Sequence, residues 1–437
     1  MKASNYNFLY KRENESALFY NARTNALAVL DPEHIAKYEL FLETGTIDDT
    51  EFKEALKQGS YIIDKDTDEL KLIKMHMLDG RYNGDTLALT IAPTVDCNFR
   101  CIYCYEKESI KNSKMSKEIQ EALLTFIRER IKTINTLQIS WYGGEPLLAF
   151  DIIDYLSPII MELCKENDVL YSASIVTNGY LLTPDICRKL VEYKVTNMQI
   201  TLDGPQEVHD QRRPLAGGQG TFNKIIKNVS DCIDIMDNIA IRVNTDKENS
   251  EEIDRVIAAL EGNGISRNKA SIYLGYVENH NDVYEVDKCL KLDQFSNINF
   301  NFIKDNNINI MNLYPRLSSN FCCADYRHAY IVDSEGYLYK CWNDIGIKEF
   351  NIGHIQNVEP ESKACLTRYM DYMLYDPTED EECVECEYLP ICMGGCPNKR
   401  LRTSSHRCAD QKYMFENILK ECANHLIEKK KEDNQSA

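Results

Sequence analysis

The sequence predicts an α/β protein built on a parallel sheet, closed or partly closed into a barrel and covered by helices. Three observations carry that reading. Apolar, β-branched runs at residues 87–92, 137–141, 172–176, 198–202, 239–243 and 272–276 have the length and composition of strands. Helical patterns at 117–132, 152–166, 184–193, 221–236 and 251–262 separate them. Strands alternating with helices imply crossover connections, hence parallel pairing. Loops bearing Gly, Asn or Asp follow the first four runs, where parallel barrels collect their chemistry. With 437 residues the chain has room for more than one core. Composition and pattern divide it at 1–84, 85–310 and 311–437.

Composition excludes some classes of function. Hydrophobic residues make up 43% and charged residues 27%, as in ordinary globular proteins. No apolar run approaches a membrane span, and Met1-Lys2-Ala3-Ser4-Asn5-Tyr6 lacks the apolar core of a secretory signal, so a cytoplasmic protein without membrane association is expected. The net charge of −19 repels phosphate backbones and argues against general nucleic-acid binding. Seventeen cysteines in a reducing compartment point to metal rather than disulfides. Cys164, Cys187, Cys232 and Cys289 are scattered and read as small buried hydrophobes.

The first 84 residues open with strand patterns at 7–10, 17–20 and 26–30. Asp31-Pro32-Glu33 then starts a helix, with Asp31 as N-cap and Pro32 at the first helical position. Ile35, Tyr38, Phe41 and Leu42 supply its apolar stripe. A second helix spans 49–58 and ends at Gly59; runs at 61–63 and 69–73 read as a hairpin, and 75–84 as a linker. Strands, helices and a closing hairpin resemble a winged-helix module. Such modules on peptide-modifying enzymes capture a leader peptide by strand addition; the alternative is a structural cap.

The motifs that carry chemistry begin after the first central strand. Cys97, Cys101 and Cys104 form C-x3-C-x2-C. Three thiolates so close can grip one iron–sulfur cluster and leave one of a cubane's irons open. Gly143-Gly144-Glu145-Pro146 follows the second strand, Thr177-Asn178-Gly179 the third and Asp203-Gly204 the fourth. Paired glycines let backbone approach a ligand closely, and Glu145 can accept bonds from an ammonium. His209, Arg212 and Arg213 are polar candidates, with a solvated loop as the plainer reading.

The triad after a first strand, followed by Gly-Gly-Glu-Pro, resembles the radical S-adenosylmethionine (SAM) enzymes over residues 86–310. The resemblance implies a partial (β/α)6 barrel. It implies that Cys97, Cys101 and Cys104 hold a 4Fe-4S cluster whose open iron SAM chelates, with Tyr103 the aromatic beside the last ligand. Gly143, Gly144 and Glu145 would receive the methionine amino group, and Asn178 and Asp203 would make polar or ribose contacts. One electron would then cleave SAM to methionine and a 5′-deoxyadenosyl radical.

A second set of cysteines occupies the last third: Cys322, Cys323, Gly336-x4-Cys341, Cys383-x2-Cys386-x5-Cys392-x3-Cys396 and, after eleven residues, Cys408. Zinc would suit Cys383 and Cys386 alone. Residues 331–339 read as a hairpin with an acidic turn. The layout resembles the SPASM extension of radical SAM enzymes, departing from it in the length of the last interval. By that resemblance Cys383, Cys386, Cys392 and Cys408 hold a distal auxiliary 4Fe-4S cluster. Cys341, Cys396 and one or both of Cys322 and Cys323 hold a proximal one. That makes three clusters in all. Cys365 and Cys422 read as structural.

The resemblance implies a maturase for a ribosomally made precursor peptide with a leader, supplied with electrons by a flavodoxin or ferredoxin. A thioether to a peptide cysteine is the expected cross-link. One alternative is an anaerobic sulfatase maturase making formylglycine. That group carries an Asp after the Gly-x4-Cys cysteine, where this chain has Trp342. A non-catalytic iron–sulfur electron-transfer protein is the other alternative; it would need no Gly143-Gly144-Glu145 loop.

Overall fold

A computed structural model describes residues 1–13, 15–357, 362–402 and 408–436, the last seven as backbone only. The chain forms two compact units. One comprises Met1–Tyr82, Leu292–Asp325 and Leu374–Ala437; the other comprises Asn83–Lys291 and Tyr326–Met373.

The first unit begins with β1 (Lys2–Ala3), β2 (Asn7–Lys11), β3 (Ala17–Asn21), β4 (Ala26–Leu30) and β5 (Ile62–Ile63). β2, β3 and β4 form an antiparallel sheet in that order, and β1 pairs with β5. Helix α1 (Pro32–Thr44) starts as expected: the Asp31 carboxylate accepts from the His34 amide, and Ile35, Tyr38 and Phe41 are buried. Helix α2 (Thr50–Gln58) ends at Gly59.

The expected hairpin is overturned at its second strand. Residues 69–82, including the presumed linker, form α3 (Glu69–Tyr82). Ile73 and Met77 lie one turn apart, and their stripe packs with Phe8, Tyr20, Phe415 and Leu419 in one core. Burying each such side chain contributes about 1.5–3 kcal/mol, which decides for helix over a five-residue strand.

The second unit carries the site. β6 (Thr86–Ile91), β7 (Thr136–Trp141), β8 (Leu170–Thr177), β9 (Val195–Thr201), β10 (Ile239–Thr245) and β11 (Ala270–Tyr276) lie in sequence order, each parallel to the next. Between them run α4 (Lys117–Arg130), α5 (Phe150–Glu166), α6 (Pro184–Glu192), α7 (Gln206–Arg212), α8 (Phe222–Cys232) and α9 (Ile253–Gly262). All six expected strands and five expected helices are present; α7 is additional.

Residues beyond 310 do not all form one separate unit. β12 (Ala329–Val332) adds to the sheet parallel to β6, and the expected hairpin to β13 (Tyr337–Tyr339) follows, with β14 (Gly353–His354) at the edge. The sheet order is β11-β10-β9-β8-β7-β6-β12-β13-β14. Ala92, Val95, Ile331, Tyr339 and Ile345 share a core, so β12 and β13 extend the sheet of the second unit.

Among the described residues, no helix is long and apolar enough to cross a membrane.

Candidate active site

The cysteine loop leaves β6 and is held by backbone on one side. The Arg100 and Ile102 amides donate to the Pro214 and Arg212 carbonyls at 2.9 and 3.0 Å, and the Ala216 amide donates to the Asn98 carbonyl at 2.8 Å. The chain that follows α7 thus lies antiparallel to the cysteines and fixes their spacing.

On the other side the Gly143-Gly144 turn after β7 presses against the same loop. Gly143 has φ +100°, and a Cβ there would stand 2.4 Å from the Thr94 carbonyl oxygen. A Cβ on Gly144 would stand 2.2 Å from the Asp96 carbonyl oxygen. Only glycine permits this approach. The Glu145 amide then donates to the Asp96 carbonyl at 2.8 Å.

Cys97, Cys101, Cys104, Gly143, Gly144 and Asn178 line one cavity of about 340 Å³. Tyr105, Glu106, Tyr142 and Trp342 add to its wall, with Gln199, Arg213, Arg242 and Asn244 among its polar groups. The Tyr142 and Trp342 rings pack at 4.3 Å. Burial raises all three thiols, with the Arg213 cation opposing it at Cys101. Among the described residues no three such groups are gathered tightly enough around one metal ion. Three thiols spread round one cavity instead fit a larger inorganic cluster, whose cationic irons would offset the burial of thiolates.

Glu145 and Asp203 lie beneath this surface, both fully buried. The Glu145 carboxylate accepts from Thr177 Oγ1 at 2.6 Å, the Asn178 amide at 2.7 Å and the Leu147 amide at 3.0 Å. It therefore fastens the β7 loop to the β8 loop. Asn178 Nδ2 donates to Asn98 Oδ1 at 2.8 Å, which ties β8 to the cysteine loop. Asp203 accepts from the Tyr103 hydroxyl and from the Asn244 amide.

The three polar candidates near α7 divide. His209 Nδ1 accepts from the Asp203 amide at 3.2 Å, so its Nε2–H donates to Thr221 Oγ1 at 3.1 Å. Thr221 in turn donates to the Arg213 carbonyl at 2.8 Å. Burial first, then Arg213 and Arg212, hold His209 well below its ordinary pKa. Arg212 forks onto Asp246 at 3.0 and 2.8 Å. Both are positioning residues; Arg213 reaches the cavity.

Sequence reasoning missed Glu106, Asn244 and Asp246. Burial pushes the Glu106 carboxyl up to about 8, against the lowering effect of the Tyr142 hydroxyl, and its Oε2 has no partner among the described residues. Its place two residues past Cys104 was the available signal. Asn244 and Asp246 sit at the end of β10, where only strand-end position marks them.

The other cysteines divide between the two units. Cys341 follows β13, whereas Cys322, Cys323, Cys383, Cys386, Cys392, Cys396 and Cys408 belong to the first unit. The Cys322 and Cys323 thiols are hydrogen-bonded to each other. Burial raises Cys392, and Cys408 and Cys386 are near enough to raise it further. Between Cys392 and Cys396 three successive residues are left-handed: Met393, Gly394 and Gly395, at φ +50°, +84° and +76°. This tight turn holds the two thiols on one short segment. Cys365 donates to Asn351 Oδ1 at 3.0 Å and Cys422 to the Ile310 carbonyl at 3.6 Å, as structural thiols would.

The Radical SAM superfamily model matches residues 91–290. The cysteine-type anaerobic sulfatase-maturating enzyme of Clostridium novyi (strain NT) is 24% identical over 349 residues, 71% of this chain and 88% of the relative. Fe-coproporphyrin III synthase of Methanosarcina barkeri (strain Fusaro / DSM 804) is 26% identical over 173 residues, 39% of this chain and 40% of the relative. Native anSMEcpe with bound AdoMet and Cp18Cys peptide has the same fold at TM-score 0.60 and 19% identity, covering 78% of this chain and 99% of that one. Streptococcus suis SuiB bound to precursor peptide SuiA matches at TM-score 0.53 and 17% identity, covering 94% and 99%. Residues 91–290 hold the triad and the paired glycines, and over that stretch the chain is similar to the radical SAM superfamily.

Proposed function

We propose that this enzyme matures a ribosomally made peptide by abstracting hydrogen from one of its residues and closing a thioether to a peptide cysteine. The observation that carries the reading is the shared cavity, in which three thiols and the Gly143-Gly144 turn face an aromatic wall. Cys97, Cys101 and Cys104 would hold the cluster, and Gly143, Gly144 and Asn178 would hold SAM. When bound, SAM and the reduced cluster supply a radical able to take hydrogen from an unactivated C–H bond. The chain's own work is to orient the peptide and exclude water. Tyr105, Tyr142 and Trp342 provide the apolar side of that work, and Arg242 and Asn244 provide polar contacts.

The N-terminal sheet supports a peptide substrate. β2 and β4 each pair only with β3 among the described residues, so both present a free edge for strand addition. SuiB, of similar fold, was solved with its precursor peptide. Net thioether formation removes a carbon-bound hydrogen atom and a thiol proton, and leaves one electron. The auxiliary cysteines are proposed to hold the clusters that serve this end of the reaction. A flavodoxin or ferredoxin is the proposed electron donor.

Formylglycine formation is the second reading, favoured by the sulfatase-maturating relatives and by the buried Glu106 carboxyl in the cavity wall. Anaerobic incubation with SAM, dithionite and a synthetic precursor peptide containing cysteine separates the two. A thioether appears as loss of two hydrogens with a blocked thiol. Formylglycine appears as loss of sulfur and a reactive aldehyde. An unchanged peptide, together with no 5′-deoxyadenosine, would sink both readings.

A further inference from the structure

Two arginines and one aspartate are buried together in the unit that carries Cys322 and Cys396. Arg81 is 1% exposed, and the Arg400 and Asp325 side chains are 2% and 0% exposed. Arg400 Nη2 donates to Asp325 Oδ1 at 2.6 Å. Arg81 donates through Nη1 to the Tyr375 carbonyl and through Nε to Asn320 Oδ1 at 3.4 Å. Asp376 also attracts Arg81, but Lys74 holds that carboxylate at 2.7 Å. Lys74 also bonds Glu379, at 2.6 Å, so the wider group of charges balances; yet among the described residues Arg81 is bonded to a carbonyl and an amide oxygen and to no carboxylate.

Such a charge is expensive to bury without a counter-charge, several kcal/mol even after relaxation. Two buried donors are also unused: Arg81 Nη2 and Arg400 Nε have no partner among the described residues. Both missing features, an anion and bonding partners, point to a negatively charged group alongside. The neighbouring chain supplies candidates for its ligands. The Asp325 amide donates to the Cys322 carbonyl at 3.1 Å, and the Arg400 amide donates to the Cys396 carbonyl at 3.1 Å. Arg400 Nη1 also donates to the Gly395 carbonyl at 3.2 Å. A cubane held by thiolates is an anion, and it becomes more negative by one charge on reduction.

We propose that Arg81 and Arg400 are the buried counter-charge of an auxiliary iron–sulfur cluster to which Cys322 and Cys396 contribute, and that they raise its reduction potential while Asp325 lowers it. The inference rests on the assignment of those two cysteines as ligands. Nearby positive charge favours the reduced cluster, which carries the extra electron; a carboxylate favours the oxidised one. The pair thus fits the cluster to accept an electron rather than to donate one.

The test is a reductive titration of the reconstituted full chain followed by electron paramagnetic resonance, without peptide. Addition of SAM marks the signal of the cluster at Cys97, Cys101 and Cys104. Arg400→Gln and Arg81→Gln should each lower the midpoint of the auxiliary signal. Asp325→Asn should raise it, and Arg400→Lys should leave it near that of the parent. The SAM-marked signal should keep its midpoint throughout. Opposite shifts from neighbouring substitutions cannot come from loosened packing. If Arg400→Gln loses the cluster, the upward shift in Asp325→Asn still decides. Shifts in one direction only, no shift, or iron for a single cluster with no auxiliary signal would overturn the proposal. Because no peptide is present, failure here is distinct from failure of the maturase reading.

Discussion

Arg213 Nη1 donates to the Tyr103 hydroxyl across 2.7 Å, and Tyr103 passes its own proton bond to Asp203. One phenol between Cys101 and Cys104 thus links the cysteine loop to β9, to α7 and, through Asn244 Nδ2 at 3.0 Å, to β10. Tyr103→Phe removes an acceptor from two donors and a donor from Asp203. Leaving buried partners unsatisfied costs about 1–3 kcal/mol. A lower thermal midpoint is expected, with slower SAM cleavage at unchanged iron content, since Arg213 faces both Cys101 and the cavity. Calorimetry and 5′-deoxyadenosine release check this; an unchanged midpoint would refute the linkage.

The Gly143 turn is a sharper point of failure. Gly143→Ala adds a methyl 2.4 Å from the Thr94 carbonyl and 2.7 Å from the Ala92 Cβ, at φ +100°. Neither neighbour is a flexible side-chain tip, so the loop must move. Strain of about 1–3 kcal/mol is expected, with SAM binding weakened by at least about tenfold. Gly218→Ala is the control: its φ is also positive, at +83°, but nothing lies within 4 Å of the new methyl. Its SAM affinity should match that of the parent. Equilibrium dialysis with labelled SAM on reconstituted protein measures both, and equal losses would show that backbone strain rather than crowding decides.

How far the sequence speaks depends on what stabilises each element. The strands of the parallel sheet are legible because one face is apolar and buried, as with Leu137, Ile139 and Trp141 or Ile239, Ile241 and Val243, while residues such as Gln138, Arg242 and Asn244 alternate with them. Residues 69–73 misled because a five-residue apolar run has no decisive period; only the stripe continued by Met77 marks the helix. Helix α7 was invisible because Gln206–Arg212 carries no apolar stripe; buried polar bonds of His209 and Arg212 hold it. The triad and the paired glycines announce themselves by spacing. Asn244 and Asp246 do not, since their partners are Tyr103 and Arg212, 141 and 34 residues away.

His209 should make the fold sensitive to acid. Burial keeps its imidazole neutral well below the ordinary range, whereas in the unfolded chain it titrates near about 6.5. Below that pH the unfolded chain binds a proton that the folded chain does not, so stability falls as pH falls. Above it neither state binds the proton, and this contribution no longer varies. The slope is at most about 1.4 kcal/mol per pH unit. His209→Gln keeps a polar side chain without a proton to gain. Its unfolding free energy should therefore fall less than that of the parent between about pH 6.5 and 5.5. Denaturant titrations at the two pH values decide, and parallel losses would show that other groups govern the acid limb.

The two sets of cysteines should separate in function. Cys101 lies in the cavity with Gly143, Gly144 and Asn178, whereas Cys392 stands near Cys386 and Cys408 in the other unit. Cys101→Ala should abolish SAM cleavage, because a two-thiolate remnant could not secure the cluster proposed for this triad. Cys392→Ala should lower iron content by about one cluster's worth and spare part of the SAM cleavage, while peptide product is lost. The small side chain introduced at a half-buried position costs little packing, so a folded protein is expected in both. Iron analysis, 5′-deoxyadenosine release and peptide mass are read on the same preparations. Loss of both activities in a folded Cys392→Ala protein would mean that the auxiliary cysteines support the first step as well. Retention of peptide product would mean that they are dispensable for the second.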